Sequence, residues 1–215
     1  MAATRLIAMH VNKGRTIAQC LKDRTDYALN EDKTEQGAFV SSYACNVEIA
    51  DKEFAESKRE YLRLTGRQYK GDIIAYQIRQ SFKPGEITPE EANRIGYETA
   101  MRFTKGNHAF IVATHTDRAH IHNHVIFNST NLDCNRKFRD SWFIALALQK
   151  LSDLVCLEHG LSVIKPRKPS ERAKRTSYPE RETFRAKICE DIDSVIARGP
   201  ADFEEFLKMM QEQDY

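Results

Sequence analysis

The stretch from His108 to Ser129, HAFIVATHTDRAHIHNHVIFNS, decides how the rest of this 215-residue chain is read. It holds five of the seven histidines. Ala109 to Thr114 is apolar and partly β-branched, as a buried strand requires. Thr116 to Ala119 (TDRA) is a polar break of hairpin-closing length. Polar and apolar residues then alternate from His120 until the apolar run Val125 to Phe127. Side chains of a strand alternate between faces, so a strand from His120 to Asn128 puts His120, His122 and His124 on one side. His115 ends the neighbouring strand and reaches that face across the hairpin. Imidazoles gathered on one sheet face, with Asp117 two residues past the first, form a metal-site constellation. The bland alternative is an exposed hairpin whose polar face merely tolerates histidines. HxD followed by HxHxH, entered from one apolar strand and leaving through VIFN, favours the metal.

Working outward, Arg5 to Val11 reads as a first strand. Thr16 to about Asn30 reads as a helix with Ile17, Cys20, Leu21, Arg24 and Ala28 on or near one stripe. Ala38 to Asn46 is a second strand. Asp51 can cap a helix running to about Thr65, with Gly66 as terminator. Ile73 to Phe82 is a third strand. Thr88, Pro89 and Glu91 give a capping threonine, a first-turn proline and a capping box for a helix reaching about Lys105. After the hairpin, Ser141 to His159 is an amphipathic helix ended by Gly160. Its Trp142, Phe143, Leu146 and Leu151 read as core rather than as stacking platforms for bases. Leu161 to Ile164 adds a short edge strand. A loop with three prolines (KPRKPSERAKRTSYPE) precedes two final helices, near Glu182 to Ala197 and Ala201 to Gln213.

This order predicts an α+β two-layer sandwich. A largely antiparallel sheet turns its histidine face toward substrate and packs helices on the opposite face, with C-terminal helices added. Residues 1–164 are expected to form one domain, and 165–215 a basic linker and C-terminal helices packing on it or extending it. A hydrophobic content of 41% suffices for a core. No apolar run approaches a membrane span. Five cysteines without a CxxC pair point to reduced thiols in a cytoplasmic protein. The net charge of +2 does not by itself announce a nucleic-acid binder. Its distribution says more: Lys165 to Arg175 carries six basic residues against Glu171 alone, and Glu180 to Tyr215 has ten acidic and five basic. The basic run is a phosphate-contacting arm or a solvated linker.

HTDRAHIHNHVIFN resembles the three-histidine motif of the HUH endonucleases. It is similar in particular to the MOB-P relaxases that nick the transfer origin of conjugative and mobilizable elements, with their HxD…HxH…N pattern. Among these it resembles relaxases of integrative conjugative elements from Gram-positive bacteria. The resemblance covers most of the chain and implies a palm-like nuclease fold. DYALNEDKT resembles the family's first motif, whose tyrosine supplies the nucleophile, and this makes Tyr27 the candidate. Read from periodicity alone, Tyr27 is a core aromatic seven residues beyond Cys20. SFKPGE resembles the second motif, whose serine contacts DNA next to the cleaved bond, and Ser81 carries that role; otherwise it is an ordinary strand-end serine. In register with VIFN the family pattern selects His115, His122 and His124 as metal ligands. The register His120-Ile121-His122 keeps His120 in reserve, as a ligand or a phosphate contact. Asn128 matches the family asparagine, and a strand-end turn residue explains it almost as well. Asp117 is a base for the phenol or, the favoured role, orients a ligand histidine by hydrogen bonding. Arg24, Lys83, Arg118, Arg136, Lys137 and Arg139 can contact phosphates or are solvated surface charges.

The resemblance implies a metal-dependent DNA nickase and transesterase with a 5′-phosphotyrosyl intermediate. Three neutral imidazoles hold a divalent cation with positions left open. The family uses magnesium or manganese, whereas imidazole suits manganese, zinc, nickel or cobalt better than magnesium. Implied partners are single-stranded DNA beside a hairpin at the transfer origin, an accessory origin-binding protein and the coupling protein of a type IV secretion system. Further carboxy-terminal regions are also expected. Two other readings stand beside it: a non-catalytic single-stranded nucleic-acid-binding domain with a structural metal, and a metallohydrolase using bound water.

Overall fold

A computed structural model describes residues 3–67, 73–164 and 184–212. Five strands, β1 (Ala3–His10), β2 (Val40–Tyr43), β3 (Ile73–Ser81), β4 (Phe110–His115) and β5 (His122–Asn128), form one sheet of order β1-β3-β5-β4-β2. Each neighbouring pair is antiparallel. The helices are α1 (Ile17–Ala28), α2 (Ala50–Thr65), α3 (Pro89–Thr104), α4 (Trp142–Glu158), α5 (Phe184–Ala197) and α6 (Phe203–Gln211). The chain divides into two compact units, Met1–Lys165 and Pro166–Tyr215. The first is the α+β sandwich. In the second, α5 and α6 are separated by a turn in which Gly199 has a φ of 71°, and Asp202 caps α6 by accepting from the Glu205 N–H at 2.8 Å. The basic stretch from Lys165 to Arg175 lies outside the described residues. No helix among the described residues is long and apolar enough to cross a membrane.

Local sequence sets these elements. Thr16 with Gln19 and Thr88 with Glu91 form reciprocal capping boxes at the starts of α1 and α3, satisfying amide donors that a helix leaves without partners. Gly66 ends α2 in the left-handed conformation that favours glycine. Asp51 does not cap that helix. A turn of 3-10 helix, Val47–Ile49, leads straight into α2, and Asn46 caps the turn instead.

Each sheet face has its own core. On one face Tyr76, Ile78, Phe110, Val112, Val125 and Phe127 pack with Ala100 of α3 and Leu148 of α4. These are the expected helices opposite the histidines. On the histidine face, α1 and α2 cover only part of the sheet, burying Cys20, Leu21, Ala28 and Phe54 against Ala75, Ile111, Ala113 and Ile126. They leave open the end where β4 stops and β5 begins.

A buried polar seam fixes that end from behind. The Asn123 amide donates to the Ala92 carbonyl at 2.6 Å and to Gln80 Oε1 at 3.1 Å, and it accepts from Thr114 Oγ1 at 2.8 Å. Gln80 in turn donates to Ser152 Oγ of α4 at 2.9 Å. Helix α3 comes so close that a Cβ on Gly96 would lie 2.5 Å from Asn123 Nδ2, so glycine is required there. With every polar atom of Asn123 paired, the seam is rigid rather than costly.

Two further expectations are corrected. Trp142 and Phe143 are 70% and 75% exposed, not core. Helix α4 is apolar around most of its surface, so periodicity could not show which side faces the sheet. Leu161 to Ile164 forms no strand among the described residues, only a single bridge at Val163; Leu161 and Val163 also pack against the cluster around Phe82 and Ile95.

Candidate active site

The site grows from the β4–β5 register. His115 pairs with His122 and Ala113 with His124, so the three rings share one face at the open end of the sheet. Their centroids are 4.4 Å apart for His115–His124 and 5.2 Å for each of the other two pairs. One ring nitrogen of each lies within 4.8 Å of the others, and all three residues are buried. Burial pushes all three imidazoles below their ordinary pKa, His124 to about 3, and neighbouring rings add to the effect at His122 and His124. Neutral imidazoles are the form that binds metal.

His120 stands apart. Strand β5 begins at His122, so the alternation expected from His120 onward does not reach it. Its carbonyl accepts from His122 Nδ1 at 3.3 Å, and its ring centroid lies 5.3 Å from that of His122.

Tyr27 enters from the last turn of α1. That turn ends in carbonyls without helical partners, and His115 Nε2–H donates to the Ala28 carbonyl at 2.8 Å. The bond ties the helix end to the histidine cluster. Tyr27 is 49% exposed. Its ring centroid lies 5.7 Å from His124, edge-on, and 6.2 Å from His115. Lys33, on the loop after α1, places its Nζ 4.2 Å from the Tyr27 ring centroid. This loop is held to the hairpin by the Thr116 N–H donating to the Lys33 carbonyl at 2.9 Å.

Hydrogen bonds determine which ring nitrogens are left to hold a divalent cation. The Ala28 carbonyl can only accept, so His115 carries its proton on Nε2 and offers Nδ1. The His120 carbonyl likewise puts the His122 proton on Nδ1 and leaves Nε2. His124 has a buried Nε2 without any hydrogen-bond partner. An orphaned buried nitrogen aimed among two others is what a cation would satisfy. Its Nδ1 contacts the side-chain amide of Gln77. For Nε2 to be a ligand, Nδ1 must carry the proton and the amide must present its oxygen. The placement of amide oxygen and nitrogen is an assignment that the network decides, and two imidazoles already locked as ligands decide it this way. The residues present fit a divalent metal.

The match to known families decides the lineage. The description "Relaxase: MobA/VirD2-like, nuclease domain" matches residues 27–161. The chain belongs to this relaxase family. A "Protein rlx" of Staphylococcus aureus is 38% identical over 123 residues, covering 57% of this chain and 37% of that protein. The "Group II intron-interrupted relaxase LtrB" of Lactococcus lactis subsp. cremoris is 28% identical over 215 residues, covering 84% of this chain and 38% of that protein. The chain thus spans under two fifths of the length of these relatives. A solved structure titled "Molecular Basis of Vancomycin Resistance Transfer in Staphylococcus aureus" aligns over 76% of this chain and 96% of that one, with 15% identity and a TM-score of 0.45, a likeness too slight to bear on the fold.

Other candidate residues of this chain fall on either side of the site boundary. Ser81 ends β3 directly opposite His122, on the histidine face. Arg24, Lys83 and Arg118 are exposed; Arg24 sits one helical turn before Tyr27, and the charge of Arg118 acts on His115. Asp117 is exposed and makes no hydrogen bond to the cluster; its charge alone reaches His115 and His122. The orienting role expected of it is filled by the Ala28 carbonyl, the His120 carbonyl and Gln77. Asn128 lies six residues beyond His122, about 20 Å along the strand. It is buried, accepts from Lys58 Nζ at 2.6 Å and donates to Ser57 Oγ at 2.6 Å, so it ties β5 to α2, away from the site. Arg136, Lys137 and Arg139 belong to the same distant end, where the Phe138 N–H donates to the Ser129 carbonyl at 2.7 Å. His159 Nε2–H donates to Glu98 Oε2 at 2.8 Å, outside the site.

Sequence reasoning missed Gln77 and Lys33 as site residues. Lys33 was visible inside DYALNEDKT, six residues past the tyrosine. Gln77 carried no local signal, because only the β3–β5 register sets it beside His124.

Proposed function

We propose that this chain is the nuclease part of a conjugative relaxase. It nicks one DNA strand at the transfer origin of a mobile element, forms a 5′-phosphotyrosyl bond through Tyr27, and acts in the cytoplasm. The observation that supports this most is the position of the Tyr27 ring, 5.7 Å from His124. A half-exposed phenol beside three convergent neutral imidazoles has a reason to be there only if it meets what they bind. His115, His122 and His124 would hold a divalent cation, manganese or magnesium in the cell. When bound, the cation supplies charge to offset that of the transferring phosphoryl group.

The residues of the chain do the rest. The Tyr27 oxygen attacks phosphorus in line, the bond to the 3′ oxygen breaks, and that oxygen leaves as a hydroxyl after taking a proton. The phenol must give up its proton during attack. Lys33 above the ring favours the anion that forms. Asp117, exposed at the hairpin, would accept the proton rather than orient a ring. Ser81 holds the neighbouring phosphate opposite His122. One phosphodiester replaces another, so the step runs backward to rejoin the strand. An accessory origin-binding protein and a secretion coupling protein are the partners proposed for the whole protein.

The test mixes the protein, with and without manganese, with end-labelled single strands tiling a candidate origin. A slow-migrating covalent species that forms with wild type and not with Tyr27→Phe supports the reading. Binding without adduct in either version identifies a binding module with a structural metal. A free 5′-phosphate without linkage identifies a metallohydrolase.

A further inference from the structure

Beyond the histidines, the open part of the same sheet face carries two arginines that the preceding chemistry does not use. Arg79 of β3 pairs directly with His124 of β5, and Arg5 of β1 pairs directly with Arg79. Directly paired residues point to the same side, so His124, Arg79 and Arg5 form one row running from the candidate site to the sheet edge. Adjacent strands lie about 4.8 Å apart, which puts the far end of the row about 10 Å from His124. Both arginines are exposed, and neither forms an ion pair among the described residues. Like charges directly opposite in an antiparallel pair destabilise it, and no acidic side chain among the described residues pairs with these. Arg79 lies near enough for its charge to act on the His124 ring.

Helices α1 to α4 leave this row uncovered. On this face α1 and α2 bury Met9 and Ala75 at the other end of β1 and β3, while α4 packs on the reverse side, where Thr4 Oγ1 meets Ser152 Oγ at 2.6 Å. A row of unopposed guanidiniums leading away from a phosphoryl-transfer site has one chemical fit: consecutive phosphates of the strand being cut.

We propose that Arg79 and Arg5 form a phosphate track, along which the single strand leaves the Tyr27 site across β3 and β1 toward the open sheet edge. Successive phosphates of an extended strand are separated by a distance comparable to the step between sheet strands. Each arginine therefore holds about one phosphate, and the contact reads no sequence. Edge position matters as well: β1 is the end strand of the five among the described residues, so the strand can leave without threading the fold.

The track rests on the relaxase reading for its direction, but its grip is measurable without cleavage. Fluorescein-labelled oligo(dT) of 15 nucleotides, titrated with metal-free protein from 50 to 400 mM NaCl, reports affinity and salt dependence. Arg79→Gln and Arg5→Gln should each weaken binding about three- to tenfold at low salt. Each should also reduce the slope of log K against log[NaCl] by about 0.7. Arg79→Lys and Arg5→Lys, which keep the charge, should restore most of both. Arg63→Gln, which removes an exposed arginine already paired with Glu60 on α2, should change neither. An Arg5→Gln/Arg79→Gln double variant with wild-type affinity and slope would overturn the track, as would equal losses in the glutamine and lysine versions. The two claims separate cleanly. Charge-dependent binding without any adduct on origin DNA spares the track and sinks the relaxase reading; adduct formation with unchanged slopes does the opposite.

Discussion

The hairpin places buried histidines at both ends, and the two ends treat them differently. His108, just before β4, directs Nδ1 at the carbonyls of Asn128 and Thr130, 2.9 and 3.1 Å away, and lies against the rings of Phe127 and Phe138. Its proton has a fixed place and its ring completes a core. At the other end, His124 is more buried still, yet its Nε2 finds no partner. Similar burial with opposite satisfaction separates a structural histidine from one held ready for a ligand. The neighbours explain the contrast. At the His108 end the chain turns back and offers carbonyls, whereas at the other end other imidazoles and a phenol occupy the space.

That contrast can be broken by mutation, most severely at the triad. His124→Ala should lower manganese affinity by more than about 100-fold in calorimetric titration, because two imidazoles remain where three were placed. Retained affinity would make the triad no better a ligand set than His108. Gln77→Leu should weaken the metal by about 10- to 100-fold, while Gln77→Glu, which can only accept from His124 Nδ1, should bind at least as tightly as wild type. If both variants lost affinity equally, Gln77 would be packing and not a tautomer lock. At the opposite end, His108→Ala should cost about 2 kcal/mol in denaturant unfolding by leaving buried carbonyls unpaired, with metal affinity unchanged.

The smallest effect is on pH. Burial holds the His108 pKa below its ordinary value of 6.5. The unfolded chain takes up a proton near pH 6.5 that the fold refuses, so this residue's contribution is whole above that pH and declines as pH falls toward the lower folded value. His108→Gln should flatten the stability profile below pH 6.5 relative to wild type, and an unchanged slope would place the linkage elsewhere.

Much of the architecture was legible because its signals are local. The capping boxes at Thr16 and Thr88, the turn at Gly66 and the alternation in β5 each depend on neighbours in sequence. Strand β2 is shorter than its nine-residue sequence pattern, and Trp142 and Phe143 lie outside the core; both depend on what packs where, which no periodicity encodes. The site divides the same way. Tyr27 and the histidine cluster stand out as residue types in sequence, and the fold sets them side by side. Gln77, Arg79 and Arg5 became visible only through register, since a residue on β3 acquires its neighbours from β5 and β1. Asn128 shows the converse: a match in pattern placed it with the site, and six residues of strand carried it to the other end.

The central claim joins the Tyr27 oxygen to DNA. The most direct measurement is peptide mapping by mass spectrometry after reaction with origin-derived single strands and manganese. The account predicts that, of the eight tyrosines, Tyr27 alone carries a nucleotide, with a free 3′-hydroxyl on the other fragment. A nucleotide on another tyrosine, or cleavage that leaves every tyrosine unmodified, would contradict it.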